Sequence, residues 1–356
     1  MEPFDALWLA ASVRLAIPLL LAATGELISE RAGVLNLGLE GMMLSGAFVG
    51  YWAAASSGSI TAGILAAILA GAFGGLLMAA VAIGLRGDQV VVGIGLNIGA
   101  LGATNYALER AFPEGSLPID RLDPIAIPVL SEIPWIGGAL FEQNLLGYVA
   151  FVLIGVVALM LARTGLGLGI RATGQNPSAA SAAGVSPLRT QWVSTTIAGA
   201  FAGLAGAYLS IGSVGVFREA MTSGRGFIAI AILVFGRWRP AGVLVGALLF
   251  GAADALQLRL QAESAVPASV WMLIGIIAAL LIWRSLRRTE VVGLRTLGPL
   301  AAVLVASLLL LVIRPDISIP SQILLAAQYV VALVALLASR RETNMPRFLA
   351  TPVPRN

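Results

Sequence analysis

Residues 60–84 read ITAGILAAILAGAFGGLLMAAVAIG, a run of apolar and small residues without a single charge. A helix needs about 20 such residues to cross the hydrocarbon core of a bilayer, so this run predicts a membrane-spanning helix. The same pattern recurs along the chain and predicts about 10–11 transmembrane helices in one all-α bundle. The candidate spans are 7–28, 33–56, 60–84, 90–112, 144–162, 191–213, 222–236, 241–258, 268–284, 296–313 and 321–339. For two of them, the glycine-interrupted 33–56 and the short 222–236, a broken or re-entrant segment is the alternative.

The composition excludes a soluble protein and most enzyme chemistry. Of 356 residues, 58% are hydrophobic and 11% are charged, with a mean hydropathy of +0.93. Soluble domains carry about 25% charged residues. The chain has no Cys, His or Lys, so all 22 basic residues are arginine. A thiolate nucleophile, a Schiff-base lysine, a histidine-ligated metal and a Walker loop are therefore excluded, because each needs one of the missing residue types.

The distribution of arginine predicts how the chain is oriented. Most arginines fall in loops that become cytoplasmic when the N-terminus lies outside. The longest outer loop in this topology, 113–143, is acidic and proline-rich, with a short helix expected near Trp135. The positive-inside rule therefore predicts an outside N-terminus and a cytoplasmic C-terminus. Arg14 falls inside the first span.

The loop 163–190 contains a short helix signal between two spans. Asn176 followed by Pro177 is a typical helix start, and Gly184 is a natural stop before Pro187. A helix of two turns is too short to be stable alone. It must therefore pack against the protein's own membrane domain or against a cytoplasmic partner.

A few polar residues lie inside predicted spans, where they usually face the bundle interior or a pathway. Asn36 and Glu40 are four residues apart and share a helix face, and Asn97 and Asn105 lie near one face of the fourth span. These four are the candidates for lining a pathway for a neutral polar solute, because amides both donate and accept hydrogen bonds. Structural roles remain an alternative, and Asp254 is expected to pair with an arginine.

Residues 71–76 (GAFGGL) and 199–204 (GAFAGL) form a weak internal repeat, and we call them the echo segments. The two segments cross in opposite directions in the predicted topology. Inverted repeats of this kind are common in transporters.

Three stretches carry a family resemblance: ERAGVLNLGLEGMML at 30–44, RATGQNP at 171–177 with AAGV at 182–185, and GRGFIAIA at 224–231 with FGRW at 235–238. They resemble the inner-membrane permeases of ABC transporters, in the subgroup for nucleosides and simple sugars within the branched-chain amino-acid and ribose permease family. The resemblance covers about residues 30–260. The tail departs from the family, whose members typically end after one further segment.

The resemblance implies a permease subunit of an importer that works by alternating access in the bacterial inner membrane. It identifies the helix at 176–184 as the one that couples to the ATPase. The coupling residues would be Gly174, Asn176, Pro177, Ala179, Ala180, Ala183 and Gly184.

The implied partners are ABC ATPase subunits that bind ATP and Mg, a second and usually different permease, and an extracytoplasmic substrate-binding protein or lipoprotein. This chain itself is expected to bind no cofactor, metal or nucleic acid.

The expected organisation is a permease domain at 1–290, additional helices at 291–339 and a cytoplasmic tail at 340–356. Three alternatives remain at this stage: a stand-alone ion-coupled secondary transporter, a polytopic membrane enzyme and a structural scaffold. The scarcity of titratable residues inside the spans argues against the first. No paired carboxylates or serine-based constellation supports the second, and a scaffold would not need polar residues inside the spans.

Overall fold

The computed structural model describes residues 5–262, 344–352 and the isolated positions 275, 279, 282, 304, 305 and 307. The predicted spans 268–284, 296–313 and 321–339 lie outside the described residues, apart from those isolated positions. Within the described part the chain is almost entirely helical, as predicted from the sequence, and six helices are long and apolar enough to cross a membrane.

The helices follow in chain order as α1 (Ala6–Arg31), α2 (Leu39–Ser57), α3 (Ile60–Met78), α4 (Gln89–Ala111), α5 (Gly137–Leu140), α6 (Leu145–Arg163), α7 (Gly165–Gln175), α8 (Pro177–Ala182), α9 (Pro187–Ala207), α10 (Arg225–Phe235) and α11 (Pro240–Ala262). Two helices end in π-helical turns, α3 over Ala79–Gly84 and α9 over Tyr208–Val214. A two-residue hairpin pairs β1 (Ile125–Ala126) with β2 (Glu142–Gln143) in antiparallel fashion.

Helix α1 is the centre of the bundle. Nearly every residue from Ser12 to Glu30 is buried, and the helix packs against α9, α11, α6 and α10. Asp5 caps its start and forms an ion pair with Arg259 at the end of α11, with Nη2 and Oδ2 2.8 Å apart. The hydrogen bond from Arg259 lowers the pKa of the Asp5 carboxyl below its usual value. The start of α1 and the end of α11 are therefore tied together.

The two echo segments lie directly against each other in the antiparallel pair α3 and α9. A Cβ atom on Gly71 would lie 2.1 Å from the carbonyl oxygen of Gly199, and one on Gly203 would lie 2.1 Å from that of Ala67. Such contacts allow the two backbones to approach as closely as small residues permit in membrane helices. Both helices then pass into π-helical turns, which makes the pair alike in shape as well as in sequence.

Two predicted spans are not continuous helices. The span 33–56 begins with an irregular segment and becomes helical only at Leu39, because Gly33 adopts φ +93° and breaks the helix. The span 222–236 is helical only as α10, whose 11 residues follow Gly224 at φ +80°. Eleven residues rise about 16 Å, roughly half of the ~30 Å hydrocarbon core.

The outer loop 113–143 lies over the opposite end of the bundle from α8. The hydroxyl of Tyr51 donates to the Leu117 carbonyl, and the Ile119 amide donates to the Gly215 carbonyl. The loop contains the hairpin and the short helix α5, which follows Trp135 as the sequence predicts. The outer loop has little regular secondary structure, and hydrogen bonds to the helix ends hold it in place.

Candidate functional site: a polar joint between interrupted helices

The interrupted segment between α1 and α2 is shaped by Asn36. Its side chain is fully buried, and its Oδ1 accepts from the amide of Gly38 at 3.1 Å. Its own backbone amide donates to Oε1 of Glu26 at 2.9 Å. The Asn36 side chain therefore closes a turn, and Glu26 of α1 binds the same turn through the Asn36 amide.

Glu40 joins this segment to the start of α10. Its Oε1 accepts from the amide of Gly224 at 2.7 Å, and its Oε2 accepts from the amide of Gly226 at 2.6 Å. The first amides of a helix have no partners within the helix and carry a partial positive charge, so a carboxylate is a favourable partner there. Gly226 must be small, because a Cβ on it would lie 2.5 Å from the Glu40 nitrogen.

Asn97 brings α4 into the same place. Its Nδ2 donates to the Leu37 carbonyl and its Oδ1 accepts from the Gly41 amide, both at 2.8 Å. One side chain thus satisfies a carbonyl group within the break before α2 and an amide group in the first turn of α2. We call Asn36, Glu40 and Asn97, with the backbone groups that they bind, the polar joint.

Asn105 is the one pathway candidate outside the polar joint. It lies eight residues beyond Asn97, about 12 Å further along α4. Its Oδ1 is buried and has no hydrogen-bond partner among the described residues. The structure therefore brings three of the four candidates together through backbone contacts. Their role in a pathway stays a prediction.

An ion pair adjoins the polar joint where α10 begins. Nη2 of Arg225 lies 3.4 Å from Oδ2 of Asp254, and both side chains are partly exposed. Asp254 therefore pairs with an arginine as expected, although its neighbour in sequence, Arg259, pairs with Asp5 instead. Beside Arg225, the hydroxyl of Thr222 is buried without a hydrogen-bond partner in the described structure.

The sequence analysis did not assign a role to a second buried polar contact, at the end of α1. The indole nitrogen of Trp238 donates to Glu30, and Nε of Arg31 donates to the Trp238 carbonyl at 2.9 Å. Both ends of this contact lie within the stretches that carry the family resemblance. The composition of either stretch alone does not reveal it, because the partners are 207 and 208 residues apart.

The coupling loop 163–190 has the predicted short helix. Oδ1 of Asn176 accepts from the Ala179 amide at 3.0 Å, Pro177 occupies the first turn, and Gly184 at φ +83° follows the helix end. Pro187 opens α9 as expected. The sequence analysis missed α7, which immediately precedes α8.

The surface of α8 divides the predicted coupling residues into two groups. Pro177 and Ala180 are buried against the bundle, whereas Asn176, Ala179, Ala183 and Gly184 are exposed. Gly174 is buried near the end of α7, where a Cβ would lie 2.2 Å from the Arg31 carbonyl oxygen. The end of α7, directly before α8, is thus in close contact with the end of α1, and the exposed face of α8 is open.

The described part of the C-terminal tail lies against the end of α7, directly before α8. The Phe348 amide donates to the Gly174 carbonyl at 3.0 Å, and the Ala350 amide donates to the Gly33 carbonyl at 3.1 Å. The tail therefore connects the coupling loop with the break between α1 and α2.

Comparison with known proteins agrees with this architecture. The sequence model of the family described as "Branched-chain amino acid transport system / permease component" matches residues 8–282, more than half of the chain. No solved structure matches.

Three curated relatives share most of their length with the chain. The putative glucose ABC transporter permease protein TsgC13 of Haloferax volcanii is 40% identical over 262 residues, covering 73% of this chain and 80% of the relative. The guanosine ABC transporter permease protein NupQ of Bacillus subtilis is 36% identical over 259 residues, covering 70% and 81%. The nucleoside ABC transporter permease protein NupC of Lactococcus lactis subsp. cremoris is 33% identical over 242 residues, covering 66% and 76%.

These matches favour an ABC permease over the stand-alone secondary transporter that the sequence analysis left open. The interrupted helices and the polar joint between them fit the same class, since transporters form solute pathways at such breaks. The chain belongs to the family described as "Branched-chain amino acid transport system / permease component" and is a multi-pass membrane subunit of an ABC transporter.

Proposed function

We propose that this subunit moves nucleosides or a simple sugar into the cell by alternating access. The observation that carries the proposal is the polar joint, where amide and carboxylate groups meet at a break in the helices. The relatives named for glucose, guanosine and nucleosides support this solute class, because all three solutes are rich in hydroxyl groups and uncharged. Asn36, Glu40, Asn97 and Asn105 are the proposed pathway residues.

The driving force is ATP, bound with Mg on a partner ATPase. The exposed face of α8, with Ala179 and Ala183, is the proposed contact with that ATPase. A second permease, different from this chain, and an extracytoplasmic binding protein complete the assembly. The outer loop 113–143 faces outside, and the N-terminus lies outside while the C-terminus lies in the cytoplasm.

ATP-dependent uptake of labelled guanosine and labelled glucose tests the proposal. The chain is co-expressed with its ATPase, second permease and binding protein in a host that lacks uptake of both solutes. We expect uptake of at least one solute, abolished by a catalytically inactive ATPase. Uptake that an ion gradient drives without ATP would overturn the proposal, and so would the absence of uptake of both solutes by a fully assembled complex.

The contact with the ATPase is tested by Ala179→Glu and Ala183→Arg. A charged, bulky side chain on the exposed face of α8 should separate ATP hydrolysis from solute uptake in the intact complex. Glu114→Arg in the outer loop is the control, because it changes an exposed charge on the opposite side of the protein. If uptake still tracks hydrolysis in both α8 variants, α8 is not the coupling helix.

A further inference from the structure

A cavity opens at the outer end of the bundle, away from the polar joint. Its volume is about 340 Å³. It lies between α1, the π-helical end of α9, the last turns of α11 and the outer loop. The polar side chains that line it belong to Arg14, Arg121, Glu142, Gln143, Asn144, Tyr208 and Ser213.

Arg14 is the residue that calls for an explanation. It lies in α1 between Val13 and Ala16, which are 3% and 2% exposed, yet its own side chain is exposed. Arginine inside a membrane helix is costly and marks functional sites. Its guanidinium makes no hydrogen bond or ion pair with any residue in the described ranges. The N–H donors of Arg14 are therefore available to a molecule bound in the cavity.

Part of the cavity wall is fixed by its own hydrogen bonds. Nδ2 of Asn144 donates to the Gly212 carbonyl at 2.7 Å, and its Oδ1 accepts from the Gly147 amide at 2.9 Å. Nε2 of Gln143 donates to the Ala139 carbonyl at 2.6 Å. Both side chains are therefore occupied and form a rigid wall. The charged groups with free capacity are those of Arg14, Arg121 and Glu142, none of which pairs with another described residue.

These groups match a solute with several hydroxyls. Guanidinium groups donate to hydroxyl oxygens, a carboxylate accepts from hydroxyl hydrogens, and the Tyr208 and Ser213 hydroxyls can do either. An anion would pair with the two guanidinium groups but would offer no donor to the Glu142 carboxylate and would repel it, whereas a polyhydroxylated solute satisfies all three groups. The volume lies at the lower end of the range for small-molecule sites, about 300–1,000 Å³, which suits one small solute.

Although the cavity lies outside the polar joint, it is close to the ion pair that adjoins the polar joint. Leu258, which lines it, lies four residues after Asp254 on α11, and therefore on the same helix face. Asp254 pairs with Arg225 at the start of α10. One helical turn, about 6 Å, thus separates the cavity from the ion pair beside the polar joint.

We propose that this cavity is a reception site for one uncharged, polyhydroxylated solute on the outer face of the permease. Arg14 and Arg121 donate to the hydroxyl oxygens of the solute, and Glu142 accepts from its hydroxyls. The proposal rests on the proposed function, because it assigns the solute a first site before the polar joint.

Direct binding tests the cavity without the substrate-binding protein. The complex of permeases and ATPase is placed in nanodiscs of zwitterionic lipid and titrated with labelled guanosine and with labelled glucose. We expect saturable binding of one of them. Arg14→Gln and Arg121→Gln should each weaken it about tenfold, since each removes a charge-assisted hydrogen bond. Arg259→Gln is the matched control, because this outer arginine pairs with Asp5 and does not line the cavity.

Each outcome has a distinct meaning. If the wild-type complex transports the solute with ATP but the two cavity variants bind and transport it as the wild type does, the reception site is wrong and the proposed function stands. If nanodiscs with anionic lipid abolish solute binding in the wild type but not in Arg14→Gln, the cavity holds a lipid phosphate and the proposal fails. If the wild type transports neither solute, the proposed function itself fails.

Discussion

The polar joint and the coupling loop are both breaks in the helical bundle, but they satisfy their backbone groups in opposite ways. At the coupling loop, the Asn176 side chain caps the amide of a residue only three positions away. At the polar joint, Asn97 binds backbone groups 56 and 60 positions away, and Glu40 binds amides 184 and 186 positions away. The coupling loop is capped locally, whereas the polar joint depends on distant partners.

The physical reason is the environment of each break. Residues on the exposed face of α8 can exchange a lost hydrogen bond for one with water. Backbone groups inside a bilayer have no such alternative, and each unsatisfied group costs several kcal/mol. We therefore expect substitutions in the polar joint to affect stability and those in the coupling loop to affect coupling.

The largest expected effect is that of Glu40→Ala. It leaves the amides of Gly224 and Gly226 without acceptors, at about 1–3 kcal/mol each. The apparent Tm of the detergent-purified complex should fall by more than about 5 °C, and uptake should be lost. Glu40→Gln, which keeps one acceptor oxygen, should fall between Glu40→Ala and the wild type. An unchanged Tm in Glu40→Ala would show that these contacts do not hold α10.

The next effect is that of Gly226→Ala, which tests close packing in the polar joint. A methyl group placed 2.5 Å from the Glu40 nitrogen must displace α10 or α2, at a cost of about 1–3 kcal/mol. Gly95→Ala on α4 is the matched control, because nothing lies within 4 Å of its Cβ position. We expect a lower thermal stability for the first variant and an equal or slightly higher one for the second, since alanine favours helix. Equal melting curves for both would contradict the packing.

Asn97→Ala should lower stability by about 2 kcal/mol, because it removes two neutral hydrogen bonds and leaves the Leu37 carbonyl and the Gly41 amide unpaired. Thermal unfolding of the purified complex measures the loss. Thr104→Ala on the same helix is the control, since that hydroxyl bonds only to carbonyls of its own helix. A larger loss of thermal stability in Thr104→Ala than in Asn97→Ala would contradict this prediction.

The smallest effect on stability is expected for Asn176→Ala. The lost cap is worth about 1 kcal/mol and concerns a helix of six residues, so the melting curve of the whole complex should hardly move. The solute-stimulated part of ATP hydrolysis should fall instead, because α8 loses its fixed start. Ser178→Ala, an exposed neighbour, provides the comparison. Coupling that stays intact in Asn176→Ala would show that the cap does not matter for it.

Sequence reasoning succeeded where the signal is local. The long apolar runs predicted the six spans that the described residues contain, Asn176-Pro177 predicted the start of α8, and the short helix near Trp135 is present as α5. The sequence also left open that 33–56 and 222–236 are broken segments, and both are, but apolar composition does not show where a glycine adopts positive φ and ends the helix. It paired Asp254 with an arginine but could not choose Arg225 over the nearer Arg259.

By itself, the sequence determined that this protein is a helical membrane protein of the permease family, with a capped helix between two spans. The helices and the cap follow from runs of apolar residues and from side chains that act on neighbours three or four residues away, whereas the family follows from the resemblance of the stretches at 30–44, 171–185 and 224–238. Only the tertiary structure decided that Asn36, Glu40 and Asn97 meet, that Arg14 faces a cavity and that the tail binds Gly174 and Gly33. Each of these contacts joins residues distant in the chain, and it forms because buried polar groups must find partners wherever the packed helices bring them.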